Sequence, residues 1–313
     1  MAAIPDWQAP LQQPGSQKVA PAENVVLPLD GSSAARSALP IARRLAQLYN
    51  ATLHIVYVGE QLLGPRRTLR QLGIAPEQFH GAVLDELCGD PGEAILRMIS
   101  RLHAPLLVMC THTGNRERDS NALVGSVADA LLSSNISRIM LVAPERGEAE
   151  WQVNRVLLAH SGTPSNDVAA RQAADIAHRA GADVLAMHVA ARTAPGALEP
   201  GSIPAPRYVD QPQHEWPAWA NEFLDRMMAL GAQPAKVRFK LMVTGGQPGS
   251  EVAEFARQNQ FDLVVAAWRG TWKAERIGPL KVIIRRSGCP VLLVYAPEIA
   301  AKPDNRRHAG PLF

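Results

Sequence analysis

Along this chain short, nearly continuous apolar runs alternate with stretches in which apolar residues recur every three or four positions. Residues 24–29 (Asn-Val-Val-Leu-Pro-Leu) form the first run, which stops at Asp30-Gly31-Ser32; Ala38, Ile41, Ala42, Leu45 and Ala46 then recur at helical spacing. That change of period predicts a strand, a turn and an amphipathic helix. A second run, Leu53 to Val58, follows the turn-like Asn50-Ala51, and a third, 82–88, leads into Gly89-Asp90-Pro91-Gly92. Ala94, Ile95, Met98, Ile99 and Leu102 share one face of the next predicted helix. Beyond it come a strand at 105–110, a polar loop, a helix at 125–134 and a strand at 138–142. Strands that are apolar nearly throughout and alternate with helices predict a parallel sheet covered on both faces.

The second half repeats this order. Asn154-Arg155-Val156-Leu157-Leu158-Ala159 matches the first strand, 182–189 matches 51–58, and Gly246-Gln247-Pro248-Gly249 matches Gly89-Asp90-Pro91-Gly92. Phe261 to Val265 matches Ala104 to Val108, and Val291 to Pro297 matches Ile139 to Pro144. Five landmarks in one order predict an α/β protein of two tandem doubly wound domains, each an open five-stranded parallel sheet with helices on both faces. The expected division is an arm at 1–22, a first domain at 23–144, a linker at 145–152, a second domain at 153–297 and a tail at 298–313. The second copy carries a Pro-rich insertion, about 192–217, before a helix with Trp219, Phe223, Met227 and Leu230. An open sheet must cover its edges, so the last strands, 138–142 and 290–295, are candidate contact edges, for internal pairing of the repeats or for a homodimer.

The length of 313 residues suits two ordinary domains. The longest apolar stretches, such as 291–295, fall far short of the ~20 residues of a spanning helix. Residues 1–22, rich in Pro, Gln and Ala, lack the basic-then-apolar order of a secretory signal and read as a disordered arm, which places the chain in the cytoplasm. Cys88, Cys110 and Cys289 are odd in number and widely spaced, as expected of reduced, mostly buried thiols. The net charge of +3 draws partly on the tail residues Arg306 and Arg307. No basic stripe interleaved with aromatics accompanies it, so nucleic acid is not an expected partner.

The run Val26-Leu27-Pro28-Leu29-Asp30-Gly31-Ser32, the Gly89-Asp90-Pro91 turn and the Gly125-Ser126-Val127-Ala128 helix start, in this order and duplicated, resemble the universal stress protein family over roughly 23–144 and 153–297. The resemblance implies a stress-response protein and, in many members, ATP or AMP bound at the carboxyl ends of the strands. A doubly wound sheet has a crevice there on independent grounds, where the strand order reverses. In that crevice Asp30 is a candidate acceptor for an adenine amino group or a ribose hydroxyl, or else the cap of its turn or helix. Val58 matches the family position whose backbone meets the base. Phosphates need backbone N–H groups in a glycine turn and a helix N-terminus. The family pattern there is Gly-x-x-Gly, nine residues, then Gly-Ser or Gly-Thr. This chain has Cys110-Thr111-His112-Thr113-Gly114 and, after a longer loop, Gly125-Ser126-Val127. Cys110 and Thr113 stand where glycines are expected, and Arg116 and Arg118 could supply charge instead.

The second copy departs further, with His160 in the place of Asp30, Ala267-Trp268-Arg269-Gly270 in the glycine turn and Gly278-Pro279 at the helix start. Trp268 and Trp272 are large enough to fill a nucleotide cleft, or else serve as interface anchors or core. This copy is expected to be structural or to take another ligand. No Walker, dinucleotide or zinc-hydrolase motif is present. Cys110 and His112 share a strand face, the nearest approach to a nucleophile and base. His54, His103, His160 and His188 lack metal-ligand spacing. The expected function is therefore a nucleotide-binding regulatory module; the alternatives are a nucleotide-free scaffold on the same fold and a slow ATP hydrolase.

Overall fold

A computed structural model describes residues 22–103, 105–111, 125–144, 150–190, 225, 237–270 and 277–296. His112, Thr113, Gly114, Arg116, Arg118 and Trp272, the insertion near 192–217 and the tail lie outside the described residues, as does the arm except for Ala22.

The first repeat supplies β1 (Asn24–Pro28), β2 (Thr52–Gly59), β3 (Ala82–Cys88), β4 (Pro105–Cys110) and β5 (Arg138–Val142). Its helices are α1 (Ser33–Arg36), α2 (Leu39–Tyr49), α3 (Pro65–Leu72), α4 (Pro76–Phe79), α5 (Pro91–Ile99) and α6 (Ser126–Leu132). The second repeat supplies β6 (Arg155–Ala159), β7 (Asp183–Ala190), β8 (Phe239–Gly245), β9 (Leu263–Trp268) and β10 (Val291–Tyr295), with α7 (Asp167–Ala180), α8 (Pro248–Gln258) and α9 (Gly278–Arg286). Boundaries follow local chemistry. Ser32 caps α1 by accepting from the Ala35 N–H at 3.1 Å, Asp90 caps α5 by accepting from the Glu93 N–H at 3.0 Å, and Asn50 ends α2 in the left-handed region with φ of 51°.

The strands run β3-β2-β1-β4-β5-β10-β9-β6-β7-β8. Every neighbouring pair is parallel except β5 and β10, which are antiparallel with Leu292 opposite Met140. Two five-stranded parallel sheets thus merge into one of ten strands through the edges that the sequence marks as contact edges. The physical reason is visible in β5, all five residues of which are buried. Left open, such an edge would template association.

Alternation along each strand divides the core into two layers that run through both repeats. One holds Val25, Leu27, Leu106, Val156, Leu158 and Leu263 beneath α2 and α7; the other holds Val26, Leu107, Leu157 and Val264 beneath α5, α6, α8 and α9. Across the seam α2 meets α7 in a polar cluster. Gln172 Nε2 donates to the Tyr49 hydroxyl at 2.6 Å, the Arg179 guanidinium lies 4.6 Å from the Tyr49 ring centre, and Arg179 Nε pairs with Asp175 Oδ1 at 3.0 Å. Burial, with the Asp175 carboxylate beside it, pushes the Tyr49 hydroxyl well above the usual phenol range. Buried Arg138 of β5 is pulled down by desolvation, which Tyr49 and Asp175 oppose. On the second repeat, Trp151 is buried and donates from Nε1 to the Asp262 carbonyl at 3.0 Å. Cys110 and Cys289 are buried and Cys88 is exposed, none of them in a disulfide.

Candidate functional site

In the first repeat the crevice lies where β1 is flanked by β2 on one side and β4 on the other. The register pairs Asn24 with Thr52 and with Pro105. Carried to the carboxyl end, the same offsets set Asp30 level with Val58 and with Thr111. Alternation gives all three to the face beneath α5 and α6, where Val58 is half-buried against the core layer of those helices.

Asp30 is exposed, and its Oδ1 accepts the Ser32 N–H at 2.9 Å. It therefore does cap its turn, as one of the two sequence readings has it. The carboxylate's other oxygen has no protein partner among the described residues. Between β1 and β2 the pairing ends with the Leu29 N–H donating to the Val56 carbonyl at 2.9 Å. In a parallel ladder the backbone groups of residues two apart point to the same neighbour. The Val58 N–H and C=O therefore face the β1 side beyond the last rung, with no backbone partner there among the described residues. A donor and an acceptor side by side at the mouth of a crevice suit the edge of a purine.

The phosphate half is less open. Thr111 is buried, and both its N–H, at 2.9 Å, and its Oγ1, at 3.4 Å, donate to the Val142 carbonyl. Neither donor is left for a ligand, because Thr111 prolongs the β4–β5 ladder by one rung. Alternation turns the buried Cys110 side chain to the α2 layer, away from the crevice. The start of α6 has the chemistry that suits an anion. Gly125 is its N-cap, no side chain caps it, Ser126 is exposed and Gly125 and Val127 are half-buried. Its first-turn N–H groups, uncapped by any side chain among the described residues, and the helix dipole favour negative charge.

The second repeat corrects one alignment made from sequence. The strand bounds and the core layers fix the match: Asn24–Pro28 answers to Arg155–Ala159 and Thr52–Gly59 to Asp183–Ala190, with Val26 and Leu157 in one layer. Gly31 and Gly162 then coincide and share positive φ, 88° and 80°. By this match Ser161 replaces Asp30, while His160 replaces Leu29 and belongs to the opposite face. The hydroxyl of Ser161 is 2.9 Å from that of Thr163 and accepts from Asn166 Nδ2 at 2.9 Å.

Between β6 and β9 the register, Val156 with Leu263, sets Ser161 level with Trp268, the counterpart of Thr111. Trp268 is 1 % exposed, packed in the layer of α8 and α9 and edge-on to Tyr295 with ring centres 6.3 Å apart. Its indole is thus part of the core, at the strand end that answers to Thr111. Above it, a Cβ on Gly249 of α8 would stand 2.7 Å from the Cα and O of Pro279. The α9 start is closed down on α8, and Pro279 brings no N–H to an anion. Sequence reasoning missed a buried cluster on the α7 side, where His160 Nε2 lies 3.3 Å from Asp167 Oδ1 and His188 Nδ1 donates to the His160 carbonyl at 3.0 Å. Aligning the repeats by their positive-φ glycines would have exposed it. Among the described residues no group of three His, Cys, Asp or Glu is arranged to hold a metal, and no helix is long and apolar enough to cross a membrane.

The model of the universal stress protein family matches residues 21–137 and again 152–295. Solved structures similar in fold include a universal stress protein from Archaeoglobus fulgidus, 15 % identical over 88 % of this chain and 98 % of that one, with a TM-score of 0.62. A functionally unknown protein from Pseudomonas aeruginosa is 12 % identical over 88 % and 93 %, with a TM-score of 0.60. The cytoplasmic domain of a prokaryotic cation chloride cotransporter is 13 % identical over 88 % and 95 %, with a TM-score of 0.51. No curated protein matches the chain. The duplicated match, laid over two doubly wound halves, shows that the chain belongs to the universal stress protein family as a tandem member with two copies of its domain.

Proposed function

We propose that the first repeat binds an adenine nucleotide, ATP or AMP, and that the chain is a ligand-responsive regulatory module rather than an enzyme. The observation that supports this reading is the backbone of Val58, without a partner on the β1 side among the described residues, beside Asp30 at the point where β1 parts from β2. The base lies along Val58, Asp30 accepts from the base or the ribose, and the start of α6 at Gly125, Ser126 and Val127 faces the phosphates. Thr111 and Cys110 shape the floor through their backbone. Thr113 and Gly114, outside the described residues, are the remaining phosphate candidates by resemblance. The second repeat, with Ser161 for Asp30 and Trp268 in the crevice, takes no nucleotide and serves as the structural partner of the first.

The test is calorimetry with ATP and with AMP. A lost hydrogen bond to a neutral group is worth roughly 0.5–1.5 kcal/mol and one to a charged group about 1.5–3 kcal/mol. Asp30→Ala is therefore expected to weaken binding by about three- to one-hundred-fold. Equal affinity in both proteins, or no heat from either, would leave a nucleotide-free scaffold as the function of this fold.

A further inference from the structure

His160, Asp167 and His188 are each more than nine-tenths buried in the second repeat. The match that equates Gly31 with Gly162 puts Leu29, Arg36 and Tyr57 at these three positions of the first repeat. The first repeat builds the equivalent turn without a histidine or a carboxylate in these positions, so the fold itself does not require the cluster. Burying ionisable groups is costly compared with apolar replacements.

The geometry fixes where the protons are. The His160 N–H donates to the Met187 carbonyl at 3.0 Å, and the Gly162 N–H donates to His160 Nδ1 at 3.0 Å. A ring nitrogen that accepts carries no proton, so the proton of His160 is on Nε2, 3.3 Å from Asp167 Oδ1. Asp167 is in the first turn of α7, where the helix dipole favours a carboxylate. His188, from β7, donates through Nδ1 to the His160 carbonyl. At the rim, Arg269 at the end of β9 donates from Nη2 to the Ser165 hydroxyl at 3.2 Å, and Arg171 stands one turn farther along α7. These charged groups flank the turn.

We propose that this cluster is an acid-operated latch on the turn from β6 into α7, closed while both histidines are neutral and released when one takes up a proton. A second proton on His160 can go only to Nδ1, where it meets the Gly162 N–H head-on; the bond breaks and the ring must turn. A second proton on His188 places a charge in a site that opposes it. Burial, chiefly, and the nearby His160 hold His188 below its ordinary value of 6.5, against the hydrogen bond to the His160 carbonyl. A histidine depressed in this way favours the closed form above about pH 6.5, and that contribution is lost as the pH falls below it. Protonating His160 breaks the bond from Gly162 directly, whereas protonating His188 leaves its Nδ1–H donor in place and favours opening of the segment 160–167 because only there does the charge reach water.

Hydrogen exchange of the full chain, measured at pH 7.5 and 5.5 and corrected for intrinsic exchange, tests the latch against an internal control. Peptides covering 160–167 are expected to lose protection severalfold in acid, the direction that a depressed histidine requires. Peptides covering the equivalent turn, 29–36, are expected to hold theirs. Exchanging the three residues for those of the first repeat, His160→Leu with Asp167→Arg and His188→Tyr, should abolish the difference. Equal loss in both turns, or none in either, overturns the latch, and this comparison is complete in the wild-type protein whatever the triple variant does.

Discussion

Trp268→Ala is expected to remove about 3–5 kcal/mol from the stability of the chain, the cost of deleting a large aromatic side chain from a core that cannot collapse around the space. Trp268 is 1 % exposed and ends β9, where the sheet passes from β10 to β6. The strands on both sides are held by continuous ladders, so the backbone cannot close the cavity. Chemical denaturation of wild type and variant measures the loss. A change below about 1 kcal/mol would mean that the indole is not the packing element of the second crevice. The variant should still bind no nucleotide in that repeat, because Ser161 brings no carboxylate and Pro279 no N–H.

The second large effect is expected at the seam. Asp175 pairs with Arg179 at 3.0 Å and supports Arg138, which is buried at 4 % exposure beside Tyr49. Asp175→Ala removes the carboxylate that pairs with Arg179 and that favours the charge of buried Arg138. Removing one partner of a buried ionic set costs roughly 3–5 kcal/mol; the pair with Arg179 is partly open to solvent, so about 2–3 kcal/mol is expected here. Denaturation with far-ultraviolet dichroism as the readout checks the value. Since the cluster joins α2 to α7, the variant should also lose coincidence between the unfolding of the two repeats. A single transition with unchanged midpoint would remove the cluster from any role in joining them.

The fold was largely legible from the sequence because its strands are buried on both faces and therefore stand out as apolar runs. Asn154 to Ala159 and Phe261 to Val265 could be recognised as repeats of Asn24 to Leu29 and Ala104 to Val108 before any coordinates. The β5–β10 pairing followed from the need to cover edges as apolar as Ile139-Met140-Leu141-Val142. The site was harder to read. Matching His160 to Asp30 is wrong by a single residue, yet in a strand one residue exchanges the two faces. That shift hid both the serine at the place of Asp30 and the His160, Asp167 and His188 cluster. Thr111 was identifiable by position but not by the carbonyl it is bound to. The seam was out of reach for another reason, since Gln172 and Tyr49 meet across 123 residues of chain and no local pattern announces the contact.

The central claim is that one crevice is open to an adenine nucleotide and the other is filled. Equilibrium dialysis of the full chain against labelled ATP counts the sites directly. The account predicts saturation at one nucleotide per chain, with binding weakened by Asp30→Ala and unaffected by Ser161→Ala. Two nucleotides per chain, or one that depends on Ser161 and not on Asp30, would contradict it.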